Sequence, residues 1–183
     1  SGEMAAGSVR LGGRRADRIV GDGVALMPGG KSIFPTLTVA EHLRLATWTF
    51  RNDDARIDED LARMPEVFPV LAKLMDRLAG DLSGGEQQQL ALAQTLMLRP
   101  KVLMIDELSL GLAPGVVASL LQIVRTLHAQ GMTIILVEQS VNIALTLAER
   151  AVFMEKGAVR FEGPTRDLLE RPDILRAVFL DGA

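Results

Sequence analysis

The sequence predicts an α/β fold in which a mainly parallel sheet carries an added α-helical subdomain. Three observations predict it. Helical and strand-like segments alternate after residue 83, which is the order of a parallel sheet covered by helices. Residues 102–105 and 134–137 are continuously apolar, as strands buried on both faces are. Residues 51–81 are charged and helical in pattern, and we expect Pro65 and Pro69 to break them into short pieces.

The first third of the chain predicts two strands and a capped helix. The strands are expected at residues 7–13 and 23–28, where apolar residues stand between glycines. Apolar spacing over residues 38–50 favours a helix that begins at Thr38, with Glu41 at the capping-box position. His42, on this helix, is expected to be a surface residue, as is His128 further along.

The remaining elements follow the same alternation. Helices are predicted at residues 84–98, 115–130 and 140–149, and strands at residues 101–106 and 133–138. Gly131 stands where a helix C-cap is expected. A hairpin over residues 151–162 should turn at Lys156 and Gly157, and two short helices should begin at Thr165 and Pro172.

Composition excludes several classes of protein. The chain has 183 residues, enough for one domain with a core and a small subdomain. Its net charge of −3, without a long basic block, argues against nucleic acid as a partner. It contains no cysteine, so disulfide and thiolate metal sites are excluded and a reducing compartment fits. No apolar run approaches the roughly 20 residues that cross a bilayer. The opening Ser-Gly-Glu, without an initiator Met or a signal pattern, predicts a fragment of a longer protein.

One motif opens a predicted helix with the sequence Leu82-Ser83-Gly84-Gly85-Glu86. Ser83 and Glu86 have capping-box spacing, and the two glycines leave the helix N-terminus uncovered. Unpaired N–H groups and the positive end of the helix dipole make such an end suitable for a phosphate. The alternative is an ordinary capped helix without a ligand.

A second motif places two carboxylates at the end of a buried strand. Residues 102–105 lead directly into Asp106 and Glu107, at the edge where open α/β sheets bind ligands. Asp106 can hold Mg²⁺ through water, and Glu107 can orient or deprotonate an attacking water. The alternative is a solvated acidic pair at the start of a loop.

In this order and spacing, the two motifs resemble the signature and Walker B motifs of the ABC ATPase family. Three further segments resemble the family's branched-chain amino-acid branch: residues 34–43 after the Q-loop, residues 109–114 at the D-loop, and Gln139 at the switch position. The resemblance implies a P-loop NTPase-like domain that uses ATP and Mg²⁺. It also implies a cytoplasmic subunit, peripheral on the inner membrane face, that pairs with a second nucleotide-binding domain and with transmembrane permease subunits.

The resemblance also assigns roles to residues. Ser83, Gly84, Gly85 and Glu86 would contact an ATP held by the partner domain. Asp106 would hold the metal, with Glu107 and Gln139 as catalytic residues, although Gln139 can equally be a polar strand end. The chain would divide into an ATPase core at residues 1–33 and 82–183 and an α-helical subdomain at residues 34–81.

Two features depart from the family's pattern. Gly29 occupies the place of the Q-loop Gln, and the chain contains no Gly-x-x-x-x-Gly-Lys-Ser/Thr phosphate loop. Residues 25–32 end like such a loop, with Lys31, but the first glycine is missing and Pro35 disfavours the helix that must follow. We therefore expect the chain alone to bind and hydrolyse ATP poorly, either as part of a complete ATPase or as a degenerate subunit that acts through its signature.

The apolar side chains of the helical subdomain have two interpretations. Leu43, Leu45, Trp48 and Phe50 can contact the permease, as the resemblance implies, or can form the core of the subdomain, which is the interpretation we favour. ABC-type DNA-repair and chromosome ATPases remain possible but are disfavoured, because they carry coiled coils or zinc modules and the chain has neither heptads nor cysteines. A non-enzymatic interaction module remains the stronger rival to an ATPase.

Overall fold

The computed structural model describes residues 10–11, 14–15, 23–30 and 32–171, and its α/β architecture confirms the predicted fold class. The chain forms two compact units, Ser1–Ile135 and Leu136–Ala183. The predictions made for residues 7–9 and for Lys31 and Pro172 lie outside the described part. The division into segments 1–33, 34–81 and 82–183 stays a prediction.

A three-stranded sheet in the order β3, β4, β5 carries the second motif, Asp106 and Glu107, at the end of its middle strand. The strands are β3 Val24–Met27, β4 Val102–Asp106 and β5 Thr133–Val137, and β3 pairs with β4 in parallel. A separate antiparallel pair joins β1 Arg10–Leu11 to β2 Arg14–Arg15. The parallel β3–β4 pairing agrees with the parallel sheet predicted from the alternation of elements, and Asp106 is the last residue of β4.

Burial of the strands on both faces was predicted wrongly. Alternate residues of β3 and β4 are buried, namely Ala25, Met27, Leu103 and Ile105. On β5, however, Ile135 and Val137 are 47% and 53% exposed. Continuous apolar character shows that both faces of a strand could be buried, but helices must cover both faces for this to happen.

Among its described residues, the first unit has four helices of eight residues or more: α1 Val39–Ala46, α2 Asp54–Val67, α3 Gly84–Leu96 and α4 Pro114–Ala129. A 3₁₀ turn, Thr47–Phe50, extends α1, and two more lie at Leu71–Lys73 and Ala79–Asp81. Contrary to prediction, Pro65 does not break α2, which runs through it to Val67. Proline forfeits one backbone hydrogen bond, and near the end of a helix this loss does not stop the last turn.

The predicted cap of α1 is present. The Oγ1 of Thr38 accepts a hydrogen bond from the N–H of Glu41 at 3.2 Å, and a Glu41 carboxylate oxygen accepts one from the N–H of Thr38 at 2.8 Å. The backbone N–H and the hydroxyl of Thr38, both donating to the carboxylate, lower the pKa of Glu41. The negative charge at the first turn also complements the helix dipole.

The core of the first unit surrounds α3. Buried residues occupy most of its length, and with the residues around it they form the centre of the unit: Leu90, Leu92, Met97, Leu103, Ile105 and Leu120. A helix that is buried over most of its circumference cannot shift without disturbing several neighbours. The start of α3, which carries the first motif, is therefore held by the core.

The second unit contains α5 Val141–Leu147, β6 Arg150–Glu155, β7 Ala158–Pro164 and α6 Thr165–Leu169. Strands β6 and β7 form the predicted antiparallel hairpin. Its turn residues Lys156 and Gly157 have φ values of 48° and 81°, the left-handed conformation that a two-residue hairpin of the primed type requires. The turn was thus placed correctly from the sequence.

Candidate functional site

The first motif forms the N-terminus of α3 through a complete capping box. Ser83 donates its backbone N–H to a carboxylate oxygen of Glu86 at 2.7 Å and its hydroxyl to the same oxygen at 2.8 Å. The N–H of Glu86 donates to Ser83 Oγ at 3.4 Å. Glu86 thus faces back onto the cap and has a structural role there, and its contact with nucleotide stays a prediction.

The two glycines of the motif differ in their surroundings. Gly84 is exposed, and a Cβ there would meet only Leu112 Cδ2 at 3.2 Å. Gly85 is buried, and a Cβ there would lie 2.2 Å from Val116 Cγ1, far inside contact distance. Because Val116 belongs to the first turn of α4, the absent side chain at Gly85 lets α3 and α4 begin side by side.

The second motif lies at the end of β4, where Asp106 is its last residue and Glu107 follows. Both are partly buried, and Glu107 has a φ of 50°. The left-handed conformation costs a non-glycine residue about 1–2 kcal/mol. Strain of this kind concentrates at functional positions, where surrounding structure holds it in place. The conformation of Glu107 is therefore consistent with a site residue.

Gly29 packs directly on the two carboxylate residues. A Cβ at Gly29 would lie 3.4 Å from the Asp106 carbonyl oxygen and 3.5 Å from both Asp106 Oδ2 and Glu107 Cβ. The turn after β3 therefore approaches the end of β4 with backbone only. The departure at position 29 falls beside the candidate metal ligand.

Two loops and the start of α3 surround a cavity of about 180 Å³. The turn after β3, the start of α3 and the loop after Glu107 all line it, through Gly30, Ser32, Ile33, Gly84, Gln87, Gln88, Leu110, Gly111 and Leu112. In the described part of the chain, the buried Oε1 of Gln88 has no hydrogen-bond partner. The cavity is lined by Gly84 of the first motif and by residues 110–112, which follow the second motif, whereas Asp106 and Glu107 do not line it.

The residues fit a magnesium ion that phosphates help to hold. Among residues 10–11, 14–15, 23–30 and 32–171, no group of three or more His, Cys, Asp or Glu side chains is placed to bind a metal. Mg²⁺ commonly uses one or two carboxylates and completes its shell with water and substrate phosphates. Asp106 can serve as that carboxylate.

The turn after β3 does not have the form of a phosphate loop. Described residues 32–38 form bends and turns, and the next helix begins at Val39. The Ser32 hydroxyl donates to the Pro28 carbonyl oxygen at 3.2 Å. A phosphate loop must lead directly into a helix N-terminus. The described residues after Ser32 therefore lack the helix start that a phosphate loop needs, and the rejection of residues 25–32 as such a loop stays a prediction.

Gln139 lies in the second unit, two residues beyond β5, and is exposed. In the first unit, the described geometry brings Gly29 against Asp106 and Glu107, and it places the start of α3 at a cavity that the loop after Glu107 also lines. The catalytic role of Gln139 stays a prediction.

Sequence analysis missed two residues that support the site. Gln87 Nε2 donates to the carbonyl oxygens of Ala79 and Leu82 at 3.2 and 3.1 Å and so fixes the chain that enters α3. The expectation that His42 lies on the surface is wrong, because its side chain is fully buried. A polar residue in a helical pattern gives no local signal that it will bond to a distant backbone, as Gln87 does, or be buried, as His42 is. The predicted surface position of His128 is confirmed.

Comparison with known proteins identifies the family. The chain belongs to the ABC transporter family, which it matches over residues 2–109. It is similar to BraG of Pseudomonas aeruginosa, a high-affinity branched-chain amino acid transport ATP-binding protein, with 37% identity over 100% of the chain and 79% of that protein. It is also 37% identical to the probable branched-chain amino acid transport ATP-binding protein LivF of Archaeoglobus fulgidus, over 81% of the chain and 62% of that protein.

Solved structures support the fold. An ATP-binding cassette of an ABC transporter in its ADP conformation matches with a TM-score of 0.76 at 22% identity, covering 92% of this chain and 72% of that one. The ATP-binding subunit of another ABC transporter matches with a TM-score of 0.76 at 24% identity, covering 97% and 76%. Among the described residues, no helix is both long and apolar enough to cross a membrane.

Proposed function

We propose that this chain is part of the ATP-binding component of an importer for branched-chain amino acids or a similar solute, at the cytoplasmic face of the membrane. The branched-chain amino acid transport roles of its relatives in P. aeruginosa and A. fulgidus support the solute class. Two observations carry the proposal: the capped, glycine-bearing start of α3, and the strand end at Asp106 and Glu107, whose following loop lines the same cavity as Gly84.

The start of α3 would act on an ATP held by a second nucleotide-binding domain. Ser83 satisfies the cap through Glu86, while Gly84 remains exposed, so a phosphate can approach the backbone N–H groups of the first turn. Gly85 keeps this turn against α4. Asp106 and Glu107 would serve an ATP on their own subunit, through magnesium and an attacking water.

That second role requires phosphate-binding groups that this sequence lacks. Without a phosphate loop, the β- and γ-phosphates have neither its backbone donors nor its lysine, which supply most of the electrostatic stabilisation. We therefore propose that the chain by itself binds and hydrolyses ATP weakly or not at all. A subunit that contributes only its signature in trans is the alternative function.

The permease subunits would bind near α1. A groove of about 310 Å³ lies between the turn after β3, the end of α1 and the C-terminal half of α3. Within it, Gln94 Nε2 is buried without a hydrogen-bond partner in the described structure. Trp48 and Leu45 are 65% and 43% exposed, whereas Leu43 is buried. Our preference for a core role was therefore correct for Leu43 and wrong for Leu45 and Trp48.

The first experiment is a thermal shift of the chain with ATP, with and without Mg²⁺. We expect no magnesium-dependent shift for the wild type or for Glu107→Gln. A clear shift that Lys31→Ala removes would overturn the proposal and would make residues 25–32 a working phosphate site.

The second experiment tests the signature in trans. This chain is added to a phosphate-loop-bearing ATP-binding subunit whose own signature has been inactivated, and ATP hydrolysis is measured. Ser83→Asn and Ser83→Asp both preserve an N-cap, but only Asp adds a negative charge where phosphate would lie. We expect stimulation by the wild type and Ser83→Asn, and at least a tenfold loss with Ser83→Asp. Equal stimulation by both variants, or none by the wild type, would refute the signature role.

A further inference from the structure

His42 lies on α1 and uses both ring nitrogens while fully buried. Its Nε2 lies 2.8 Å from the backbone nitrogen of Phe34, and its Nδ1 lies 2.8 Å from the carbonyl oxygen of Thr38. A backbone N–H can only donate, so Nε2 accepts and Nδ1 carries the proton. The neutral ring therefore ties the segment before α1 to α1 itself.

The segment that His42 holds contacts the chain just before α3. The N–H of Gly80 donates to the Pro35 carbonyl oxygen at 3.0 Å, and the N–H of Ala79 donates to the Leu37 carbonyl oxygen at 2.8 Å. A Cβ at Gly80 would lie 3.0 Å from that Pro35 oxygen, so the two backbones are already in close contact. Only two residues separate Gly80 from Ser83.

The connection continues into the helix. Leu82 is buried next to Ser83, and Gln87, in the first turns of α3, donates to the carbonyl oxygens of Ala79 and Leu82. Residues 79–82 are therefore fixed on one side by α3 and on the other by residues 35–37. A shift of the segment at Phe34 would be passed to the start of α3 by these contacts.

We infer that His42 is a positioning residue for the start of α3: it holds residues 34–37, which in turn set the position of residues 79–83. If Ser83 binds phosphate, as the proposed function requires, then phosphate binding at Ser83 depends on His42, and this consequence rests on the proposed function. The coupling between residues 34–37 and residues 79–83 can itself be measured without nucleotide.

Amide hydrogen exchange on the full chain tests the coupling. His42→Leu has similar bulk but leaves the N–H of Phe34 unpaired, whereas His42→Gln can again offer an acceptor. We expect at least tenfold faster exchange at residues 34–38 and 79–86 in His42→Leu, unchanged exchange in α4, and recovery in His42→Gln. Unchanged exchange at residues 79–86, or equal acceleration throughout the chain, would overturn the inference.

Gly80→Ala perturbs the same connection from its other end and keeps the test decisive if His42→Leu fails to fold. The added Cβ should press on Pro35 and accelerate exchange at residues 34–38. Gly115→Ala is the matched control, because a Cβ there meets nothing within 4 Å. No acceleration with Gly80→Ala would overturn the inference. If hydrogen exchange shows the coupling but the chain does not stimulate ATP hydrolysis by a second subunit, only the proposed function is contradicted.

Discussion

Gly85→Ala should destabilise the protein even though alanine is the better helix former. A Cβ at Gly85 would lie 2.2 Å from Val116 Cγ1 and 3.4 Å from Val116 Cβ. Carbon atoms in contact normally stand about 3.5–4.0 Å apart, so the nearest pair overlaps by more than an ångström. Valine in a helix has one dominant rotamer. The side chain of Val116 therefore cannot turn aside freely, and α3 and α4 must separate.

The expected loss follows from two opposing contributions. Overpacking a well-filled site costs about 1–3 kcal/mol. Replacing glycine by alanine within a helix returns up to about 1 kcal/mol, and less in the first turn. The net expectation for Gly85→Ala is a decrease of about 1–2 kcal/mol in the free energy of unfolding, measured by urea denaturation followed by circular dichroism.

Two comparisons test whether the clash with Val116 causes the destabilisation by Gly85→Ala. Gly84→Ala is the matched control, because its Cβ would meet only Leu112 Cδ2, the end of a flexible side chain, at 3.2 Å. Val116→Ala removes the clashing methyl groups, so the double variant with Gly85→Ala should show a favourable coupling of about 1–2 kcal/mol. Gly85→Ala as stable as the wild type, or a double variant without coupling, would refute the reasoning.

Three further changes test other parts of the site and its supports. Glu107→Gly should have a free energy of unfolding about 1 kcal/mol higher than Glu107→Ala, because both variants lack the Glu107 side chain and only glycine relieves the left-handed backbone at φ 50°. Equal urea midpoints for these two variants would contradict this. Arg99→Ala should lower the free energy of unfolding by about 1–3 kcal/mol, because it removes the 2.8 Å partner of the buried Asp60 carboxylate; urea denaturation unchanged from the wild type would count against it. The pKa of Glu41 is lowered by its hydrogen bonds with Thr38, so the stabilisation is complete above the pKa of the unfolded state and is lost as pH falls through the folded-state pKa. The advantage of the wild type over Glu41→Gln in thermal unfolding should accordingly disappear in acid, and an advantage that is constant with pH would exclude this cause.

Local chemistry was sufficient to predict most elements of the fold. The caps at Thr38 and Ser83 depend on side chains only three residues away, and both helices begin where the capping boxes indicate. The Lys156–Gly157 turn and the left-handed Gly131, with a φ of 93°, likewise follow from residue type. A parallel sheet was predicted from the alternation of strands and helices, although the pairing of β3 with β4 in particular was not.

Predictions that depended on distant neighbours were less successful. His42 resembles a surface residue in its helical pattern but is buried because Phe34 and Thr38 supply partners for both nitrogens. Trp48 resembles a core residue but is exposed, with the Arg51 guanidinium 4.6 Å from its ring. Burial depends on which elements cover a position, and periodicity records only which face of a helix is apolar.

The sequence by itself determined the α/β class, the order of the elements and the identity of the two motifs, because capping, turn formation and apolar periodicity act between residues that are close along the chain. Only the tertiary structure decided that Gly29 packs on Asp106, that Gly85 packs on Val116, and that His42 connects to the start of α3. Those contacts join residues far apart in sequence. They depend on how helices and strands pack in space, which no local pattern specifies.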